Sequence, residues 1–263
     1  MGFPGRARAL RAIIFACLTW FGPVAELRAA TLDLQESPQA AGRSTEPFGL
    51  TASLLSEGGL REKWLGVERQ LDDERVQLAL CDGDRENCVS PAALQLLAIV
   101  DIGRAREGRA RLGEINRAIN LAIHPMSDLA QYGQIDFWSS PLVTFAHAAG
   151  DCEDYAIAKY VALRLAGVAA DDLRLVVLHD TVRGEDHAVA AARLDGHWLM
   201  LDNNRMAMVE DADVRNYRPL FVLDERGVMR YVDTPLLAAL PGRDPPLLAL
   251  NLATEPSPTS LPN

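Results

Sequence analysis

A stretch that is apolar almost all round a helix, residues 152–166, constrains this 263-residue chain more than any other. Ala156, Ile157, Ala158, Val161, Leu163 and Leu165 leave such a helix no wide polar face for water, so it must lie in the middle of a domain. Gly167 closes it, because a helix commonly ends on a left-handed residue. Helical patterns precede it at 63–80, 92–102 and 112–123, the second opened by Ser90 as cap and Pro91 as first helical residue. Short strand-like runs follow at 173–179, 187–194, His197–Leu201, 221–223 and 228–231.

Three residues in this frame carry chemistry. Cys152 stands in Gly150-Asp151-Cys152-Glu153-Asp154-Tyr155 at the mouth of the apolar helix, His187 in Asp186-His187-Ala188-Val189, and Asp202 in Leu201-Asp202-Asn203. A thiol, an imidazole and a carboxylate are the parts of a nucleophile, its base and the group that orients the base. Asp195-Gly196 predicts how the last two meet. That dipeptide favours a two-residue hairpin turn, because both residues tolerate positive backbone angles. Pairing Leu194 with His197 sets Asp202 opposite Val189, and period-two alternation then puts His187, Val189 and Asp202 on one face. His187 and Asp202 become diagonal neighbours, roughly 7 to 8 Å apart at the backbone and within side-chain reach. A one-residue bulge would undo this register. His179 is the chief rival base.

The charge around the thiol is contradictory. The first turn of a helix favours a thiolate, whereas Asp151, Glu153 and Asp154 oppose another anion beside them. Either Asp151 caps the helix and the other two complement its dipole, or the carboxylates hold a hard divalent cation such as calcium.

Around this centre, residues 1–30 read as a secretory signal peptide. Arg6, Arg8 and Arg11 lead a short apolar core at 12–21 and the small residues Ala29 and Ala30, and the core is too short to span a bilayer. An uncleaved anchor or a disordered leader is the alternative. Removing four arginines and one glutamate makes the chain more acidic than its formal charge of −10, which argues against a nucleic-acid partner. Export implies a periplasmic location and an oxidising compartment. Cys81 and Cys88 bracket a polar turn-forming segment, so a local disulfide is their simplest pairing, leaving Cys152 free; two reduced loop cysteines are the alternative. Residues 31–60 read as an extended lead-in, 61–245 as the working domain and 246–263 as a disordered tail. Arg104, Arg106, Arg109 and Arg111 read as a solvated helix face or loop, and Asn116 and Asn120 share one helix face with no role the sequence decides.

Four ordered motifs, Asp136-Phe137-Trp138, the Gly150 to Tyr160 segment, Asp186-His187-Ala188-Val189 and Leu201-Asp202-Asn203, resemble the bacterial transglutaminase-like cysteine proteinases. The resemblance covers about residues 112–231. It implies an α+β fold with a papain-like or transglutaminase-like core, in which a central helix bearing Cys152 packs on an antiparallel sheet bearing His187 and Asp202, next to an N-terminal helical region. It implies a calcium-dependent cysteine endopeptidase whose calcium-linked acids are Asp151, Glu153 and Asp154. The implied substrate is a large surface adhesin cut at a dialanine-containing site, releasing biofilm, and the implied partner is a cyclic-di-GMP-responsive inner-membrane receptor. The Cys152 backbone N–H is the expected oxyanion donor, with Trp138 or Gln134 as a second. A transglutaminase or amidase, or a non-catalytic calcium-responsive binding protein, are the alternative functions.

Overall fold

The computed structural model describes residues 46–232. The leader at 1–30 and the tail at 246–263 lie outside the described residues. Among the described residues there are six α-helices: α1 (Gly59–Gly83), α2 (Pro91–Arg104), α3 (Gly108–Ala122), α4 (Asp128–Tyr132), α5 (Pro141–His147) and α6 (Cys152–Leu165). The same residues form nine strands: β1 (Thr51–Leu54), β2 (His124–Pro125), β3 (Ala149–Gly150), β4 (Leu173–Asp180), β5 (Glu185–Leu194), β6 (His197–Leu201), β7 (Val209–Glu210), β8 (Tyr217–Asp224) and β9 (Gly227–Val232).

Seven strands form one sheet in the order β1-β9-β8-β4-β5-β6-β7, antiparallel at every pairing. Short β2 and β3 pair in parallel and hold the chain just ahead of Cys152. The α+β expectation therefore holds, with α6 as the central helix. Ile157, Ala158, Ala162 and Leu163 of α6 are fully buried between the sheet and the other helices. Small side chains make this close: Ala188, Ala190 and Ala192 of β5 share a core with Ala156 and Ala162 of α6. Val189, Ala191, Met200 and Tyr217 belong to a second core on the opposite face of the sheet.

The local sequence signals account for the element ends. Ser90 Oγ accepts the Ala93 N–H at 3.2 Å, with Pro91 as the first helical residue of α2. Gly167 takes φ +91° after α6, and Asp195 and Gly196 both take positive φ between β5 and β6. The hairpin pairs Leu194 with His197 and runs in register to Ala190↔Leu201, so no bulge interrupts it. Within the 31–60 lead-in, Thr51–Leu54 forms edge strand β1 on β9 and α1 begins at Gly59. Cys81 and Cys88 form the disulfide, linking the last turns of α1 to the approach to α2. In the arginine cluster, Arg104 pairs with Asp82 at 2.9 Å, Arg109 donates to the Met208 carbonyl at 3.3 Å, and Arg111 donates to the Gly103 and Arg106 carbonyls.

Candidate active site

His187 and Asp202 lie just past the last β5–β6 pair, where the hairpin register carries them to the same end of the sheet. His187 Nε2 meets Asp202 Oδ1 at 2.9 Å, and both residues are buried. An ionised carboxylate only accepts, so the proton of this bond sits on Nε2 and leaves Nδ1 as the proton acceptor. Cys152 begins α6, and its sulfur lies against the backbone N–H of Ala188, the residue next to His187. The sulfur thus sits beside the residue that follows His187, at the end of the sheet that holds the His187–Asp202 pair. Cys152 is half-buried and is the free cysteine of the described residues.

The rival histidine does something else. His179 Nδ1 contacts Asp186 Oδ1 at 2.9 Å across β4 and β5, with both side chains open to solvent. Trp138 donates its indole N–H to Asp136 at 2.8 Å, and Gln134 is exposed. The Cys152 backbone N–H remains, at the start of a helix where such groups have no intrahelical partner.

Asp202 is fixed by more than the imidazole. Its Oδ2 accepts the Tyr217 hydroxyl, and its Oδ1 accepts the Asn204 N–H at 2.9 Å. Burial alone raises this carboxyl; the hydrogen bonds from His187 and Tyr217, the His187 charge and the Asn204 N–H outweigh it and hold the group at about 2. A carboxyl depressed in the fold stabilises it above the ordinary value near 3.8, and that contribution is lost as pH falls through about 2. Tyr217→Phe removes one donor to a buried charge, so we expect a loss of roughly 1.5–3 kcal/mol and acid unfolding at a higher pH. Circular dichroism during acid titration checks this; an unmoved acid midpoint would mean that the phenol contributes nothing.

Tyr217 was not legible as a site residue because Pro219 truncates the strand pattern, and proline rarely sits inside a sheet. The chain accommodates it at a register shift, with Leu178 opposite Pro219 but Val177 opposite Phe221. Extending the strand through such a bulge is the signal that would have found Tyr217.

The acidic cluster differs in membership from the sequence reading. Asp128, Asp151 and Glu153 each offer an oxygen, and the three lie within 4.8 Å of one another. Asp154 lies outside this group: its Oδ1 accepts the Ser139 N–H at 2.9 Å, and its carboxyl packs so closely on Gly150 that a Cβ there would meet it at 2.5 Å. Asp128 joins Asp151 and Glu153, from a helix of five residues too short to show a period. Asp151 occupies the N-cap position but makes no side-chain cap bond, and Asp128 Oδ1, Asp151 Oδ1 and Asp154 Oδ2 are buried without partners. Burial and mutual repulsion raise the Asp151 carboxyl, burial raises Glu153 and Asp128, and burial raises Asp154 to about 7. Desolvated, converging oxygens with unshared lone pairs fit a hard divalent cation. Glu153 also touches the free thiol, its Oε2 standing 3.1 Å from Cys152 Sγ. Burial, then the Glu153 charge, pushes the thiol well above its usual range, and the Ala188 N–H acts in the other direction.

Residues 77–222, more than half of the chain, match the family model of the bacterial transglutaminase-like cysteine proteinases. The chain belongs to that family. It is a cysteine peptidase, with the papain-like or transglutaminase-like core that the motifs imply. Among solved structures it is similar to Legionella pneumophila LapG, at 20% identity and a TM-score of 0.50, covering 59% of this chain and 86% of that one. An EGTA-treated form of the same protein aligns at 20% identity and a TM-score of 0.50, over 63% and 87% of the two chains. A calcium-bound form aligns at 21% identity and a TM-score of 0.48, over 55% and 82%. Comparison with curated proteins returns no match.

Proposed function

We propose that this cysteine peptidase is an exported, calcium-dependent endopeptidase in which Cys152 is the nucleophile, His187 the base and Asp202 the group that orients it. The observation that carries this reading is the His187–Asp202 pair at 2.9 Å with the Cys152 sulfur against the next backbone N–H. His187 Nδ1 takes the thiol proton, and the sulfur attacks the scissile carbonyl carbon as its π pair moves to oxygen. The oxyanion faces the Cys152 N–H. Collapse expels the amine, which receives the proton from the imidazolium, and leaves a thioester. Water, losing a proton to Nδ1, then attacks the thioester, releasing the acid and returning the proton to sulfur.

Asp128, Asp151 and Glu153 are the residues that would hold calcium, whose positive charge would offset the carboxylates that disfavour a thiolate. Export to the periplasm rests on the leader pattern and on the Cys81–Cys88 disulfide, which suits an oxidising compartment. A surface adhesin as substrate and a cyclic-di-GMP-responsive receptor as partner rest on the family resemblance alone.

With calcium present, the purified protein is expected to cut an adhesin fragment containing a dialanine, and Cys152→Ala to be inactive. Iodoacetamide should abolish cleavage while reacting with Cys152 faster than with an unactivated thiol at the same pH. Wild-type cleavage by Cys152→Ala, or a Cys152 no more reactive than free cysteine, would overturn the reading.

A further inference from the structure

The turn that carries Asp202 is held from behind by side chains of the helical layer. Lys159 Nζ of α6 donates to the Leu201 carbonyl at 3.2 Å. Asn120 Nδ2 of α3 donates to the Asp202 carbonyl at 2.9 Å and to the Arg205 carbonyl at 3.1 Å. One helical turn earlier, Asn116 Nδ2 reaches the Met206 carbonyl at 3.1 Å and the Arg205 carbonyl at 3.4 Å. Four backbone carbonyls between 201 and 206 thus take donors from two helices, where the β5–β6 ladder has run out and the chain still needs its polar groups satisfied.

These contacts are poor choices for stability alone. Lys159 and Asn116 are both fully buried, and Lys159 is among the largest buried side chains. Buried lysine is rare, since removing its charge from water is costly and an apolar residue of similar volume would avoid that cost. The asparagine side chains face the turn donor-first, leaving both Oδ1 atoms buried without partners. Lys159 lies two turns along the helix that Cys152 begins, so one bond ties the nucleophile's helix to the acid's turn. Asn204, inside the same turn, gives its N–H to Asp202 Oδ1, and its side-chain amide lies 3.4 Å from His187 Nε2.

We propose that Asn116, Asn120 and Lys159 are positioning residues, a donor cradle that fixes the 201–206 turn so that Asp202 meets the imidazole of His187. The proposal rests on the peptidase reading of Cys152, His187 and Asp202, and its test separates the two. In the full chain with calcium, near-isosteric Asn120→Leu and Lys159→Met are each expected to slow alkylation of Cys152 by iodoacetamide about tenfold, whereas Asn120→Gln, which keeps an amide donor, recovers most of the rate. The downfield proton resonance of His187 Nε2–H, assigned by its loss in His187→Gln, is expected to broaden or shift upfield in Asn120→Leu and Lys159→Met. In an Asp202→Asn background, the cradle substitutions should have no further effect on alkylation.

Wild-type alkylation and an unchanged resonance in both folded variants would overturn the cradle, as would an equal loss in the Asp202→Asn background. If wild-type Cys152 alkylates only as fast as free cysteine, the peptidase reading fails; the His187 resonance still decides whether the cradle holds Asp202.

Discussion

His187→Gln is expected to lower peptide cleavage by on the order of a thousandfold or more, with the protein still folded. The size follows from the electrostatics at the thiol. Burial and the Glu153 carboxylate 3.1 Å away both disfavour the sulfur anion, so Cys152 has little thiolate of its own at neutral pH. An unperturbed cysteine is only a few per cent thiolate at pH 7, and each unit of upward displacement removes another factor of ten. In the proposed mechanism the imidazole is the acceptor that makes the sulfur nucleophilic despite this. Glutamine cannot take that proton, although its amide can still donate to Asp202 and so preserve the buried carboxylate's partners. His179→Gln is the matched control and is expected to retain wild-type cleavage, because that ring pairs with exposed Asp186. Cleavage of a defined peptide, with a thermal melt of each variant, gives the measurement. A folded His187→Gln protein retaining a tenth of wild-type cleavage would remove His187 from the mechanism.

The parts of this site that could be read from the sequence are those set by local rules. Asp195 and Gly196 fix a turn, the turn fixes a register, and the register delivers His187 and Asp202 together because strand side chains repeat every two residues. Helix α6 announced itself by having no polar face and by stopping at Gly167. What stayed hidden depends on partners far along the chain. Asp128 reaches Asp151 and Glu153 from a five-residue helix with no periodic signature. Strand β1 is short and mostly exposed, and its pairing with β9 comes from the other end of the described chain. Asn116 and Asn120 were visibly on one face of a helix, but helical periodicity says which residues share a face and not what that face meets.

Calcium removal carries the second large expected effect, and its dependence on pH has a definite sign. Without a cation, the carboxyl of Asp154 is held up at about 7 by burial, with neighbouring Asp151 and Asp128 adding to the rise, and Asp151, Glu153 and Asp128 are raised as well. A carboxyl raised in the fold binds its proton more tightly there than in the unfolded chain. Its stabilising contribution is therefore complete below the ordinary value of about 3.8 and lost as pH rises toward 7 and beyond. Metal-free protein is thus expected to melt at a higher temperature at pH 5 than at pH 8. Calcium binding requires the ionised oxygens, so it releases protons and binds more tightly as pH rises. At a hundred times its dissociation constant, calcium adds about 2.7 kcal/mol, or roughly 5–10 °C in Tm for a domain of this size. The two curves should therefore converge in acid and separate at pH 8. Asp128→Asn weakens the calcium response while leaving His187 and Asp202 untouched, because Asp128 belongs to the carboxylate cluster and not to the imidazole's contacts. Thermal melts with calcium and with EGTA, at both pH values, measure all of this. Equal melting temperatures with and without calcium at pH 8 would mean that the three carboxylates hold no cation, leaving Glu153 as an unrelieved brake on the thiol.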